Sequence, residues 1–505
     1  MVNIPNYEFK TTPYRHQGFE GALARWNEES WGYLLEMGTG KSKIFIDNGC
    51  ILFELDEIDT IFLFAPKGVY QNWTDKEFPA HIPDRIYKNA IIHLWRGGNS
   101  KGELKELERV CTASPGRLRI FVVNIEATSA SKMLEKWALR FLASGRCLMG
   151  IDEASTIKNP TAQRTKILIK WGKKAEYRRI MTGTPVPRSP LDLWAQCEFL
   201  EPGCLGFRSF FNFRARYAIM EKKMFGGREI QIVVGHRYTE QLSKTLSGIA
   251  TIIRKEDCLD LPPKVYEEWN VSLTPEQLKA YTELKQFATT ELEAGKFVTS
   301  TAVITTLLRL QQIVCGHVVD ERGDVHHIPT QRPSELLNIM EDRKGAKTII
   351  WCHFRHDIEA VREVLTKAGF RVVTYHGGTS SDERAEAIYR FQGQRSAVLN
   401  GETFTDYCSP DQQADVFLGT EHAGGYGITL TAADMIVYYS NGFDLEKRLQ
   451  SEDRAHRIGQ VKSVTYIDMV ARGTVDEKII AALKKKEQLA NIVMDGPARI
   501  RDLFG

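Results

Sequence analysis

The stretch Trp31-Gly-Tyr-Leu-Leu-Glu-Met-Gly-Thr-Gly-Lys-Ser42 decides the fold, because an apolar run of strand length leads directly into a glycine turn. Glycines let backbone amides approach phosphate oxygens closely, and the helix that follows offers its amino end to the same anion. We therefore predict a phosphate loop at Met37–Ser42, in which Lys41 reaches the outer phosphates and Ser42 binds Mg²⁺. The predicted nucleotide contacts in this loop are Gly38, Thr39, Gly40, Lys41 and Ser42. Leu35 stands where the full motif has a glycine, so a chance glycine turn is the alternative.

A second apolar run, Cys147–Ile151, ends in the acidic pair Asp152 and Glu153. A buried strand that ends in two acids is costly unless the acids have a partner or a task. Asp152 suits a Mg²⁺ ligand that acts through water, and Glu153 suits a base that orients the attacking water. A solvated strand end is the alternative interpretation.

Gln17 lies upstream of the loop, in Pro13-Tyr-Arg-His-Gln17. Its amide donates and accepts together, which matches the N6/N7 edge of adenine. We predict that Gln17 contacts ATP, with a plain surface glutamine as the alternative.

Arg454 and Arg457 are three residues apart, so on a helix they would share a face. Two guanidinium groups on one face repel each other unless an anion lies between them, and a γ-phosphate is such an anion. A solvated charged face, with Glu452 and Asp453 as partners, is the alternative. The glycines upstream, Gly427 among them, let the backbone approach a phosphate of ATP or nucleic acid, or else form a flexible turn.

Short apolar runs alternate with helical patterns along the chain, which is typical of parallel sheets buried on both faces. The first set of predicted strands is Trp31–Leu35, Thr60–Ala65, Arg119–Asn124, Cys147–Ile151 and Arg179–Thr182. The second set is Thr348–Cys352, Arg371–Tyr375, Asp415–Gly419, Met435–Tyr439 and Val464–Val470. The predicted fold is therefore α/β with two tandem parallel-sheet lobes. We expect one lobe over 1–260, with a helical insertion at about 195–260, a helical segment over 261–335, and a second lobe over 336–505 that ends in a helix.

The composition excludes several classes of protein. A chain of 505 residues is too long for one core, and no apolar stretch reaches the roughly 18 residues of a membrane span. The net charge of +3 does not by itself indicate nucleic-acid binding. Nine cysteines without a CxxC pair suit free thiols, and the amino terminus does not read as a secretory signal. We expect a cytoplasmic protein, monomeric and without a membrane partner.

Taken together, these motifs resemble the Swi/Snf family of DNA-dependent ATPases in helicase superfamily two. The string Arg454-Ala-His-Arg-Ile-Gly-Gln460 is the most specific to that family, whereas the phosphate loop and acidic pair would fit other members of the superfamily. Met181-Thr-Gly-Thr-Pro185 resembles the family's coupling motif. The acidic box ends in Ala-Ser155 rather than the frequent Ala-His or Gly-His.

The resemblance implies two RecA-like lobes, ATP and Mg²⁺ as cofactors, and translocation along double-stranded DNA without sequence preference. It adds Gly427 and Gln450 as ATP contacts. It also implies that loops of both lobes hold the DNA backbone, through Lys67, Asn124, Arg384 and Thr420. A strand-separating or fork-remodelling helicase is a second hypothesis, and a nucleotide-gated DNA-binding protein with little hydrolysis is a third.

Overall fold

A computed structural model of the chain describes residues 6–112, 116–225, 228–293, 300–320, 322–399, 402–421 and 428–504. The chain divides into two compact units. Unit 1 comprises Met1–Ile219, Val233–Asp260 and Lys486–Gly505, and unit 2 comprises Met220–Ile232 and Leu261–Lys485. No helix among the described residues is both long and apolar enough to cross a bilayer.

A seven-stranded sheet forms the centre of unit 1, in the order β3-β4-β2-β5-β6-β1-β9. All of its neighbouring strands run parallel. Its strands are β1 Ser30–Leu35, β2 Thr60–Ala65, β3 Ile91–Leu94, β4 Arg119–Asn124, β5 Cys147–Asp152, β6 Tyr177–Met181 and β9 Ala250–Ile253, with β7 Ala218–Phe225 and β8 Arg228–His236 forming a separate two-stranded sheet. The central strands are buried along almost their whole length and are mostly apolar, as is typical of a parallel sheet with both faces covered.

Helices connect these strands. They are α1 Lys41–Glu54, α2 Tyr70–Asn72, α3 Phe78–His81, α4 Asp84–Tyr87, α5 Lys101–Thr112, α6 Ala127–Ala130, α7 Lys132–Leu142, α8 Gln163–Gly172, α9 Leu193–Leu200, α10 Phe210–Tyr217, α11 Thr239–Leu246 and α12 Lys255–Cys258. Short 3-10 or π turns lie at Ala22–Arg25, Trp73–Glu77, Ala154–Ile157 and Pro190–Asp192.

Unit 2 contains a six-stranded parallel sheet in the order β10-β19-β18-β13-β17-β14. Alternate residues of its strands enter separate cores on the two faces. Ile350 and Leu418 belong to one core, and Ile349 and Phe417 to the other. The strands are β10 Lys264–Asn270, β13 Thr348–Cys352, β14 Val372–Tyr375, β17 Val416–Thr420, β18 Met435–Tyr438 and β19 Val464–Val470, and the two-stranded sheets are β11 His317–Val319 with β12 Val325–His327 and β15 Gln394–Leu399 with β16 Glu402–Tyr407.

The helices of this part of the chain are α13 Pro275–Glu293, α14 Ser300–Cys315, α15 Arg332–Asp342, α16 Arg355–Lys367, α17 Ser381–Gln392, α18 Leu445–Glu452 and α19 Val475–Phe504. A capping box of Ser380 and Glu383 begins α17, as two reciprocal side-chain to backbone hydrogen bonds. The α/β fold with two parallel sheets is confirmed.

The stretch from 195 to 335 is less helical than its sequence indicates. It contains the β7–β8 hairpin, and it also supplies one edge strand to each large sheet. Strand β9 pairs with β1, and β10 pairs with β19 along seven residues. The prediction missed β10 because every residue of this edge strand is exposed or half-buried, so it carries no continuous apolar run.

Candidate active site

The predicted catalytic residues of unit 1 lie at one edge of its sheet. Parallel strands all end on the same side, and the order β4-β2-β5-β6-β1 makes the five relevant strands neighbours. The phosphate loop follows β1, Asp152 ends β5, and Thr182 follows β6. In open parallel sheets, this carboxyl edge is where ligands bind.

The phosphate loop is shaped by two glycines with left-handed backbone. Gly38 has φ +82°, and Gly40, which precedes α1, has φ +91°. A Cβ built on Gly40 would lie 2.1 Å from Nε2 of Gln17. The left-handed backbone at position 40 therefore favours glycine, and any larger residue there would also displace the side-chain amide of Gln17.

Gln17 is buried against the loop. Its Nε2 donates to the carbonyl of Thr39 over 2.9 Å, and its Oε1 accepts the backbone N–H of Tyr14 over 3.1 Å. Nε2 of His16 contacts the same Thr39 carbonyl at 2.8 Å. Gln17 thus supports the loop backbone, and each side of its amide keeps capacity for one further hydrogen bond.

Lys41 begins α1 and turns back over the loop. Its Nζ donates to the carbonyls of Leu35 and Glu36, over 3.0 and 3.3 Å. The charge of Lys41 also acts on the carboxyl group of Asp152. The predicted phosphate-binding lysine and the predicted metal ligand therefore belong to one electrostatic site.

Asp152 is held by two donors. Nε1 of the buried Trp73 donates to Oδ2 over 3.0 Å, and the N–H of Glu153 donates to Oδ1 over 3.0 Å. Burial raises the pKa of Asp152, while Trp73 and Lys41 favour the ionised form. Each oxygen keeps a lone pair, so this carboxylate fits a hard cation or a water that such a cation binds.

Glu153 occupies an unusual backbone conformation. Its φ is +49°, in the left-handed region that residues with a Cβ rarely adopt. Oγ1 of Thr182 lies 3.5 Å from Oε2 of Glu153. A Cβ on the adjacent Gly183 would lie 3.1 Å from the backbone nitrogen of Met37. The segment after β6 therefore contacts both the acidic pair and the phosphate loop.

Two residues that support the candidate site, Glu36 and Trp73, were not evident in the sequence. Glu36, between β1 and the phosphate loop, accepts the N–H of Lys255 over 2.9 Å and lies 3.5 Å from Arg254. These contacts with the segment after β9 depend on the pairing of β9 with β1, and no local sequence pattern indicates that pairing. Trp73 is the other contributor, because only the folded chain brings its indole to Asp152.

A cavity of about 800 Å³ lies beside the loop in unit 1. Its wall includes Tyr14 and His16, whose rings stack at 5.9 Å with an interplanar angle of 10°. The remaining lining residues are Arg15, Glu20, Gly21, Ile252, Ile253, Glu256, Asp257, Cys258, Leu259 and Asp260. The volume is within the range of small-molecule sites.

The prediction that Arg454 and Arg457 share a helix face is wrong, because α18 ends at Glu452 and both arginines lie in the turns that follow. They nevertheless approach the same segment. Nη1 of Arg454 donates to the carbonyl of Ile428 over 3.1 Å, and Nη1 of Arg457 donates to Oγ1 of Thr429 over 2.9 Å. Arg454 is buried and Arg457 is half-buried.

Two further predicted ATP contacts belong to this part of the chain. Gln450 is buried on α18, where its amide contacts Lys447 at 3.2 Å and Glu446 at 3.4 Å. Gly427 lies outside the described residues.

The predicted DNA contacts lie near strand ends in both units. In unit 1, Asn124 ends β4 and accepts the N–H of Ala127, and the N–H of Lys67, just after β2, donates to Glu126. In unit 2, Thr420 ends β17. Arg384 lies on α17, donates to the carbonyl of His376 over 2.8 Å and packs 5.4 Å from the ring centre of Tyr375.

Glu421 follows β17 and is almost fully buried. Within the described part of the chain, its Oε1 has no hydrogen-bond partner. Burial raises the pKa of Glu421 to about 8, Asp468, Asp444 and Glu452 add to the rise, and Arg448 opposes it. This carboxyl group is therefore largely protonated at neutral pH.

Two family descriptions match the chain. The SNF2-related domain matches residues 14–318, and the helicase conserved C-terminal domain matches residues 331–459.

The chain is also similar to individual proteins. The DNA annealing helicase and endonuclease ZRANB3 of Mus musculus is 27% identical over 494 residues, which are 96% of this chain and 41% of that protein. An uncharacterized ATP-dependent helicase, MG018 of Mycoplasma genitalium, is 25% identical over 488 residues, 94% of this chain and 41% of that one. The chain thus spans less than half the length of these curated relatives. A solved structure described as the Sulfolobus solfataricus SWI2/SNF2 ATPase core in complex with dsDNA has a TM-score of 0.43 and 22% identity, and covers 100% of this chain and 97% of its own.

Proposed function

Because the chain belongs to the SNF2-related family of ATPases, we propose that it is a DNA motor that hydrolyses ATP when bound to double-stranded DNA and moves along the duplex. The observation that supports this most is the meeting of the phosphate loop, Asp152, Glu153 and Thr182 at one edge of the unit 1 sheet. These are the parts that phosphoryl transfer to water requires.

The phosphates of ATP would lie on the loop between Gly38 and Ser42. Lys41 would exchange its bonds to the carbonyls of Leu35 and Glu36 for phosphate oxygens. The base and ribose would extend toward Gln17 and the cavity beside Tyr14 and His16.

Ser42 and Asp152 would hold Mg²⁺, which when bound supplies positive charge against the phosphates. Glu153 would orient the attacking water, and Thr182 would hold the carboxylate of Glu153. Arg454 and Arg457 would supply positive charge to the transition state, with Gln450 and Gly427 as further nucleotide contacts. A stabilising arginine of this kind contributes about 10³–10⁵ in rate.

Lys67 and Asn124 of unit 1, with Arg384 and Thr420 of unit 2, would contact the DNA backbone. Backbone contacts carry little sequence information, so binding should tolerate any sequence and weaken steeply with salt.

One experiment tests the proposal directly. ATP hydrolysis is measured with single-stranded, blunt duplex, forked and four-way DNA, beside a triplex-displacement assay on duplex and an unwinding assay on forks. Stimulation by blunt duplex together with triplex displacement is the expected result. Fork unwinding without triplex displacement would instead identify a strand-separating helicase, and DNA binding without hydrolysis would identify a nucleotide-gated binding protein.

A further inference from the structure

A basic and aromatic surface lies on and beside α10, away from the phosphate loop in the sequence. We call it the α10 surface, and it consists of Arg208, Phe211, Arg214, Arg216, Arg237 and Tyr238. All six residues belong to unit 1. Residues 207–219 and 233–247 together contain five lysines and arginines but one carboxylate, Glu240.

The charges of this surface are not neutralised within the described part of unit 1. None of its four arginines forms an ion pair there, whereas exposed arginines elsewhere in the unit, such as Arg85 and Arg140, pair with glutamates. Neighbouring cations without carboxylate partners repel one another unless an anion lies between them. The surface is therefore complementary to a polyanion.

The exposed side of α10 presents an aromatic ring to solvent. Phe213 and Tyr217 face inward and are almost fully buried, and their rings lie 4.8 Å apart. Phe211 points the other way and is 67% exposed, with the Arg214 guanidinium 5.6 Å from its ring centre. A large apolar side chain this exposed adds little to the stability of the fold.

Tyr238 is a second exposed ring, held in a fixed position. It precedes α11 with φ +57°, a conformation that bulky residues rarely adopt. The guanidinium of Arg216 lies 3.7 Å from its ring centre and that of Arg237 lies 5.6 Å away. Arg237 is itself fixed by hydrogen bonds to the carbonyls of Ala215 and Arg216.

Exposed aromatic rings beside unpaired cations are a common means by which proteins bind single strands, because the cations follow the phosphates while the rings stack on bases. The bases of a duplex are already stacked on one another and cannot cover such rings. We infer that the α10 surface binds single-stranded DNA. The inference rests on the proposed function, and it specifies the substrate class as duplex DNA that carries an unpaired strand.

The test compares variants of the full chain in anisotropy titrations with a labelled oligothymidylate of about 20 nucleotides and with blunt duplex. The double variant Phe211→Ala, Tyr238→Asn removes both rings, and asparagine tolerates the left-handed backbone at position 238. We expect it to bind the oligothymidylate about tenfold or more weakly and the duplex unchanged. Arg214→Ala with Arg216→Ala should reduce the salt dependence of single-strand binding by about 1.4 in log–log slope.

The matched control is Lys173→Ala with Lys174→Ala, which removes the same charge. Both lysines are exposed just before β6, at the opposite edge of the sheet from the phosphate loop. Wild-type single-strand affinity in the ring variant would overturn the inference, and so would an equal loss for single strand and duplex. Competition by polyglutamate as strong as by oligothymidylate would assign the surface to an acidic polypeptide instead.

The inference and the proposed function fail separately. Wild-type protein whose hydrolysis is not stimulated by blunt duplex contradicts the proposed function, whatever the binding assay gives. The inference further predicts that forked DNA stimulates hydrolysis by the wild type more than blunt duplex does. The ring variant should keep the stimulation by duplex and lose this additional stimulation by forks. Unchanged stimulation by forks in the ring variant would count against the α10 surface alone.

Discussion

The side-chain amide of Gln17 donates a hydrogen bond to the carbonyl of Thr39 over 2.9 Å, so a residue upstream of β1 is attached to the phosphate loop. Gln17→Ala removes this bond and the one to Tyr14, each with a net value of about 1 kcal/mol. We expect the KM for ATP to rise about tenfold, measured as the ATP dependence of DNA-stimulated hydrolysis.

His16→Ala is the matched control, because it removes the other contact to the same Thr39 carbonyl. If Gln17 also reads adenine, only Gln17→Ala should reduce the preference for ATP over GTP. An equal change of preference in both variants would contradict adenine recognition and leave Gln17 as a support of the loop.

Lys41→Ala and Glu153→Gln should each abolish DNA-stimulated hydrolysis, with kcat reduced about a thousandfold or more. Lys41 loses its phosphate contact, and Glu153→Gln keeps the side-chain volume while losing the carboxylate that orients water. Phosphate release reports the rate. Glu176→Gln serves as control, since Glu176 accepts the N–H of Cys147 at the opposite end of β5 and should leave the rate intact.

Arg457→Ala should also abolish hydrolysis, although Arg457 lies more than 400 positions from the phosphate loop in the sequence and donates a hydrogen bond to Thr429 of its own unit. The expected loss is about 10³-fold or more in kcat, with a small change in the thermal unfolding midpoint. Arg472→Ala, an exposed arginine of the same unit near Glu268 and Glu477, is the comparison. A normal rate in Arg457→Ala would show that hydrolysis does not depend on this arginine.

Glu421 should make the protein less stable as the pH rises. Burial raises its pKa to about 8 in the folded chain, from the ordinary glutamate value of 4.5. Between these values the folded state keeps a proton that the unfolded state has released, so the free energy of unfolding falls with increasing pH. Glu421→Gln should remove this pH dependence. The free energy of unfolding of the variant, relative to that of the wild type, should therefore be higher at pH 8 than at pH 5.

Thermal unfolding midpoints at the two pH values measure this effect. Glu341→Gln, at an exposed position on α15, is the control and should shift both midpoints equally. A Glu421→Gln variant that is destabilised by the same amount at both pH values would show that Glu421 in the folded protein does not titrate between pH 5 and pH 8.

The strands that carry the site could be predicted because their sequences are continuous apolar runs. Thr60–Ala65, Arg119–Asn124 and Thr348–Cys352 begin and end where the runs do. The acidic pair could be placed because a buried run ends abruptly at Asp152. The phosphate loop could be placed because glycines that directly follow an apolar run indicate a turn whose backbone needs the conformational freedom of glycine.

Other elements depend on partners far along the chain, and their local sequence carries no pattern that predicts them. Strand β3 is four residues long, and β10 mixes charged and aromatic residues at an edge of the sheet. The helix expected at Arg454 and Arg457 ends earlier, at Glu452. The contacts of Trp73 with Asp152 and of Glu36 with Lys255 join residues 79 and 219 positions apart, and no periodicity encodes them.

The hydrogen bond from Trp73 to Asp152 gives the protein an intrinsic optical reporter. Indole emission responds to the charge of a group that its N–H touches, so an event that changes the electron density on Oδ2 of Asp152 should alter the fluorescence of this one residue. The chain has nine tryptophans, and the difference between the spectra of the wild type and Trp73→Phe isolates the signal. Divalent cation titrations and rapid mixing with nucleotide can then be followed without attaching a dye.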